Sequence, residues 1–271
     1  MNFNVLAKRH ITLQNGKVVV MKRSTTPLII LIGLILIYFS VQITGFNMEA
    51  IIKRIDQFFV ILKEMMQPNF SYTTKLWQPL FDTIKMSLLG SILGAIVAVP
   101  IAFCASSNII KNRFIVISSK FFLSLLRTLP TLIVALMATF IFGLGTMAGF
   151  IAIFLFTIAY VGKLLYEQIE NADMKAYEAM HSMGLTTVQS FRYAILPQVL
   201  PNYLSTTLFC FEGNVRYASI LGYVGAGGIG LLLNENLGWR NYANVGMILV
   251  MLIVTVFIIE TISEHFRKKL M

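Results

Sequence analysis

Apolar residues crowd this chain into six long stretches, at about 27–46, 80–106, 114–142, 146–166, 198–217 and 242–262, separated by polar or charged segments. Each reaches the roughly 20 residues that carry an α-helix across the hydrocarbon core of a bilayer. A helix also satisfies its own backbone where no water is present. The pattern therefore predicts an all-α, polytopic membrane protein with about six transmembrane helices. One further stretch is apolar on one side only. Met48, Ile51, Ile52, Ile55, Phe58, Phe59, Leu62, Met65 and Met66 share a helix face opposite Lys53, Arg54, Asp56, Gln57 and Glu64. Such a helix either lies in the outer membrane interface or packs on the bundle from that side.

Composition agrees with this class. The chain of 271 residues is 57% hydrophobic and 13% charged, with a mean hydropathy of +0.76, which excludes an ordinary soluble domain. Its net charge of +10 does not imply nucleic acid, because basic residues gather at membrane edges for topological reasons. Six spans place both termini on one side. Lys8, Arg9, Lys17, Lys22 and Arg23, the loop with Lys111 and Arg113, the loop holding Glu178, and the tail Arg267, Lys268 and Lys269 all share that side. It is expected to be the cytoplasm. Lys53, Arg54, Lys63 and Lys75 on the other side weaken the bias without reversing it. The first apolar run has a long leader and no small-residue cleavage site, so it reads as a retained helix rather than a signal peptide. The expected organisation is a leader, first span and amphipathic helix over 1–79, a transmembrane domain over 80–262 with a polar cytoplasmic loop at 171–197, and a basic tail over 263–271.

That polar loop interrupts the apolar pattern most sharply. Ala176, Ala179, Met180 and Met183 recur at helical spacing, with Glu178 and His181 turned away from them. Gly184 ends the predicted helix. Thr186 and Gln189 have capping-box spacing and start a second one that runs through Phe191 towards Pro197. Two short helices meeting at a glycine make an elbow suited to docking in a groove of a soluble partner.

Inside the spans, ionisable residues are costly, about 2.5–3.5 kcal/mol each at mid-bilayer, and Arg127, Glu212 and Arg216 stand out. Glu212 and Arg216 have the spacing and order of a helical ion pair. Alternatively, Arg127 or Arg216 faces a central pathway and offers charge-assisted hydrogen bonds to an oxyanion. Gly90, Gly94 and Ala98 form a small-residue stripe for close helix packing. Pro100 and Pro130 are expected to kink or break their helices. GAGGIG within 222–230 matches the dinucleotide fingerprint in form, but it lies between spans without the βαβ context, so its glycines are read as turn and packing residues. There is no P-loop motif, and Cys104, Cys210, His10, His181 and His265 have no ligand-like or disulfide spacing.

The loop residues Glu178, Ala179, Gly184, Leu196 and Pro197 resemble the EAA coupling loop of bacterial ABC import permeases, with Met180 in place of the usual third alanine and Ala194 where isoleucine is common. LRTLP at 126–130, YVGKLLYEQIEN, LPQVLP and FEGNVRYASILGYVGAGGIG extend the likeness over most of 80–260, and the chain resembles the permease of phosphonate ABC importers. The glycine-rich part is similar in methionine and betaine permeases, whereas Phe211, Glu212, Asn214, Val215, Arg216 and Ala218 are closest to the phosphonate group.

The resemblance implies a type I, methionine-permease-like fold and a pathway for phosphonate, phosphite or hypophosphite. It implies docking of an ATP-binding subunit dimer through Glu178, Ala179, Met180, Met183 and Gly184, and substrate contacts by Arg127, Glu212, Asn214 and Arg216. An extracytoplasmic binding protein and a second, identical permease chain complete the expected assembly. ATP and magnesium would be held by the partner ATPase, with no cofactor in this chain. A methionine or glycine-betaine permease is the alternative. A secondary transporter would need a coupling site and internal repeat, and a membrane enzyme a clustered set of catalytic groups; neither pattern is present.

Overall fold

The computed structural model describes residues 10–12, 16, 18–20 and 26–270. Leader residues Lys8, Arg9, Lys17, Lys22 and Arg23 lie outside them. The chain divides into two compact units, Met1–Phe59 and Val60–Met271. The first holds a short antiparallel ribbon, β1 (His10–Thr12) paired with β2 (Val18–Val20), then α1 (Thr26–Ile43) and most of α2 (Met48–Met65). No residue of α1 is buried, as befits a helix of apolar side chains facing lipid. On α2, Ile51, Ile52, Ile55, Phe58 and Phe59 are exposed along the predicted apolar face, while Lys53 and Glu49 pair on the polar side at 2.5 Å.

The second unit is a helical bundle: α3 (Thr73–Ala105), α4 (Arg113–Thr128), α5 (Thr131–Phe142), α6 (Thr146–Glu170), α7 (Lys175–Ser182), α8 (Thr187–Ser190), α9 (Leu196–Leu221), α10 (Ile229–Gly238) and α11 (Tyr242–Leu270). A π-helical turn, Phe191–Ile195, joins α8 to α9, so that Thr187–Val224 runs as one continuous helical element. Among the described residues four helices are long and apolar enough to cross a membrane, and six spans result if each bent pair counts as one.

The expected single span at 114–142 is such a pair, with α4 and α5 meeting at 88°. Pro130 lacks a backbone donor and pushes the residue before it out of helical geometry; Leu129 accordingly takes φ −78 and ψ 119. Pro100 behaves differently, since α3 runs unbroken through both Pro79 and Pro100. The sixth expected span stops at residue 262, but α11 continues to Leu270, with Ser263 buried.

The centre of the bundle is the seam between α3 and α6. The small-residue stripe makes it: a Cβ added to Gly94 would lie 2.7 Å from Thr157 Cβ and 2.9 Å from the Phe154 carbonyl oxygen, and one on Gly90 would lie 2.7 Å from Ile153 Cγ2. Only glycine permits that approach. Core packing continues from this seam through Ala98, Ala102, Val161, Leu165 and Ile169 to Tyr177, Phe191 and Ile195 in the polar loop. At the other end Leu76, Leu80, Ile229, Met247 and Ile248 join α3, α10 and α11. There Asn69 donates to Asn244, Asn244 to Asn236 and Asn236 to Tyr72, at 2.9–3.0 Å. The glycine-rich segment packs as expected, for a Cβ on Gly230 would meet the Ser219 carbonyl oxygen at 2.1 Å.

Candidate functional site

The elbow is built on a buried aromatic base. Tyr177, in the first turns of α7, is buried and packs in the bundle core with Phe191, and Phe191 meets Phe103 of α3 edge to face with ring centroids 4.8 Å apart. His181 stacks on Tyr177 at 5.9 Å. Gly184 ends the helix at φ +91, a conformation that costs an L-residue roughly 1–2 kcal/mol, and its N–H donates to the His181 carbonyl at 3.0 Å. The capping box forms: Gln189 N–H donates to Thr186 Oγ1 at 3.3 Å and Thr186 N–H to Gln189 Oε1 at 3.0 Å. Gln198 of α9 fastens the near side by donating to the carbonyls of Asp173 and Ala194, at 3.2 and 2.8 Å.

Ala176, Glu178, Ala179 and Met183 point outward, Met183 with 71% of its surface free. Met180 instead packs partly against the core, so the predicted stripe splits, with one methionine holding the elbow and the other displayed. Val188 and Tyr193 are also exposed here. They were missed in the sequence, where two apolar residues in a polar segment were the available signal.

Within the bundle, Glu212 is buried at 3% exposure and paired with Arg216 one turn further along α9. A second guanidinium reaches it from α11, with Arg267 Nη2 3.9 Å from Glu212 Oε2 and the guanidinium carbon 5.8 Å over the Phe209 ring. The expected organisation placed Arg267 in a basic cytoplasmic tail beyond the last span. Ile258 and Ile262, at the end of the expected span, and Phe266 beyond it carry the apolar helical spacing into that tail and mark the continuation of the helix. Two cations thus share one carboxylate, leaving a surplus positive charge. The Arg216 side chain is half exposed and lines a cavity of about 350 Å³ with Phe156, Tyr160, Phe209 and Tyr217.

The other two predicted pathway residues are elsewhere. Asn214 is fully buried, donating to Ser91 Oγ at 2.8 Å and Thr157 Oγ1 at 3.0 Å, which cross-links α3, α6 and α9. Arg127, in the last turn of α4, lines a separate cavity of about 210 Å³. Among the described residues no three His, Cys, Asp or Glu side chains gather as metal ligands, and Cys104 and Cys210 are free thiols.

Residues 90–271 match the sequence profile of the family described as binding-protein-dependent transport system inner membrane component. The chain is 32% identical over 205 residues to the phosphite transport system permease protein PtxC of Stutzerimonas stutzeri, covering 76% of this chain and 74% of that one. It is 30% identical over 211 residues to the phosphate-import permease protein PhnE of Mycolicibacterium smegmatis, covering 78% of this chain and 40% of that longer one. In fold it matches a chain of the inward-facing MetNI methionine ABC transporter at a TM-score of 0.67 and 20% identity, over 75% of this chain and 99% of that chain.

Proposed function

The chain belongs to the family of binding-protein-dependent transport system inner membrane components, and from that premise we infer that it is the permease subunit of an ATP-driven importer for phosphonate or a related reduced-phosphorus oxyanion such as phosphite or hypophosphite. One observation carries the choice of cargo. Arg216 lines the intramembrane cavity, held there by a buried carboxylate that is itself shared with Arg267. A guanidinium pre-positioned in low dielectric recognises a tetrahedral oxyanion through charge-assisted hydrogen bonds. The surplus charge favours an anion over a neutral solute.

In this reading the protein is multi-pass in the cytoplasmic (inner) membrane, both termini face the cytoplasm, and two identical permease chains enclose the pathway. Two ATP-binding subunits hold ATP and magnesium and dock on the elbow around Glu178, Ala179, Met183 and Gly184. An extracytoplasmic binding protein delivers the anion. Closure of the ATPase dimer then moves the elbow and switches access.

A glycine-betaine permease is the second reading, because four aromatic rings, Phe156, Tyr160, Phe209 and Tyr217, border the same cavity and suit a quaternary ammonium. Gene deletion followed by growth and uptake on phosphate, methylphosphonate, aminoethylphosphonate, phosphite or hypophosphite separates the two. Selective loss on a reduced-phosphorus source, restored by wild type and not by Arg216→Gln, is the expected result. Normal growth on all five, in a strain with no redundant importer, would overturn it and turn attention to betaine and methionine.

A further inference from the structure

The cavity beside Arg127 has its own chemistry. It lies between α4 and α6 and is lined by Lys120, Leu123, Ser124, Arg127, Lys163 and Tyr166. Lys120 pairs with Glu170 at 2.8 Å and Lys163 with Glu167 at 3.3 Å. Glu170 is occupied further, accepting from the N–H and Oγ of Ser107 at 2.9 and 2.6 Å. Arg127 has no carboxylate partner among the described residues. Three cations against two committed carboxylates leave one positive charge, with hydroxyls of Ser124 and Tyr166 in the same lining.

Depth narrows the ligand. Glu170 closes α6 at the end where the elbow begins, and Lys163 is two turns earlier, about 10 Å up the helix. With the elbow on the cytoplasmic side, as proposed above, the cavity sits at the level of the inner-leaflet headgroups. Phe121, Phe122 and Leu125 are exposed on the opposite face of α4, so the helix that carries the cavity is apolar toward its surroundings at this depth. Basic pockets between transmembrane helices at this depth are suited to anionic headgroups.

We propose that the Lys120–Arg127–Lys163 cavity binds a phosphate-type oxyanion, supplied by the headgroup of an anionic phospholipid. The same chemistry would accept the free transported anion, and the test separates the sources. The importer complex is purified in detergent as wild type, Arg127→Gln, Arg127→Lys and Lys163→Gln, exchanged into mixed phosphatidylglycerol and phosphatidylcholine, and its retained lipid counted by native mass spectrometry. Wild type should retain phosphatidylglycerol preferentially. Arg127→Gln and Lys163→Gln should each lower that retention about fivefold, while Arg127→Lys keeps most of it. Indifference to added inorganic phosphate or methylphosphonate supports the lipid. Displacement of phosphatidylglycerol by either ion from wild type assigns the site to the free anion. Equal retention of both lipids in all four proteins, with no effect of either ion, overturns the proposal. The lipid result does not depend on which solute is imported, so it stands or falls apart from the choice of cargo.

Discussion

At the scale of single residues, Glu212 governs the buried charge. Removing Arg216 leaves its carboxylate beside Arg267, so Arg216→Gln is expected to cut uptake about tenfold or more, equivalent to one charge-assisted contact, while gel filtration shows an intact complex. Glu212→Gln is a different lesion. It leaves two partly exposed guanidiniums near each other with no carboxylate between them, a loss of about 1–3 kcal/mol. Thermal unfolding in detergent should show Glu212→Gln well below Arg216→Gln; equal melting of the two would contradict a structural carboxylate. Asn214→Leu removes the links to Ser91 and Thr157 and should cost about 1 kcal/mol. The pairing of Glu212 with Arg216 was legible from spacing alone. The role of Asn214 was not, because two residues along a helix turn it by about 200°, and the sequence does not say which neighbour lies there.

At the scale of elements, the glycine stripe and the elbow were readable because steric demand leaves few alternatives. Gly94→Ala puts a methyl group against Thr157 and a backbone oxygen and should destabilise by about 1–3 kcal/mol, whereas Gly213→Ala meets nothing within 4 Å and should melt as wild type. In the elbow, Gly184 at φ +91 cannot be replaced by proline, whose ring fixes φ near −65°. Gly184→Pro is therefore expected to insert in the membrane normally and to lose its ATPase in co-purification. Retention of the ATPase and full transport would remove the elbow from the coupling route. Two elements escaped the reading. Periodicity has no term for direction, so a kink or break at Pro130 was foreseen, but not that the chain would turn through 88° there. The tail was separated from α11 because its charges were weighed above Ile258, Ile262 and Phe266.

For the whole molecule, hydropathy gave the number of apolar segments and charge an expected orientation, and labelling tests both. In a Cys104→Ser background, Lys111→Cys is expected to react with an impermeant maleimide only after the inner face is opened, and Trp239→Cys, 80% exposed after α10, in intact cells. The reverse pattern would invert the topology. What sequence could not supply is the arrangement across segments: that Arg127 and Arg216 line different cavities, or that an arginine near the end of the chain returns to the centre of α9. Such contacts join positions far apart along the chain, and no local pattern encodes them.

The continuous run Thr187–Val224 has a mechanical corollary. From Thr187 to Glu212 the rise is about 38 Å, and a stiff rod of that length rocked by roughly ten degrees about one end sweeps the other through about 6–7 Å. The capping box and the buried charge are then two ends of one oar. A blade stroke at the first reaches the second through the π-turn at Phe191–Ile195 and past Pro201, where the shaft has its give.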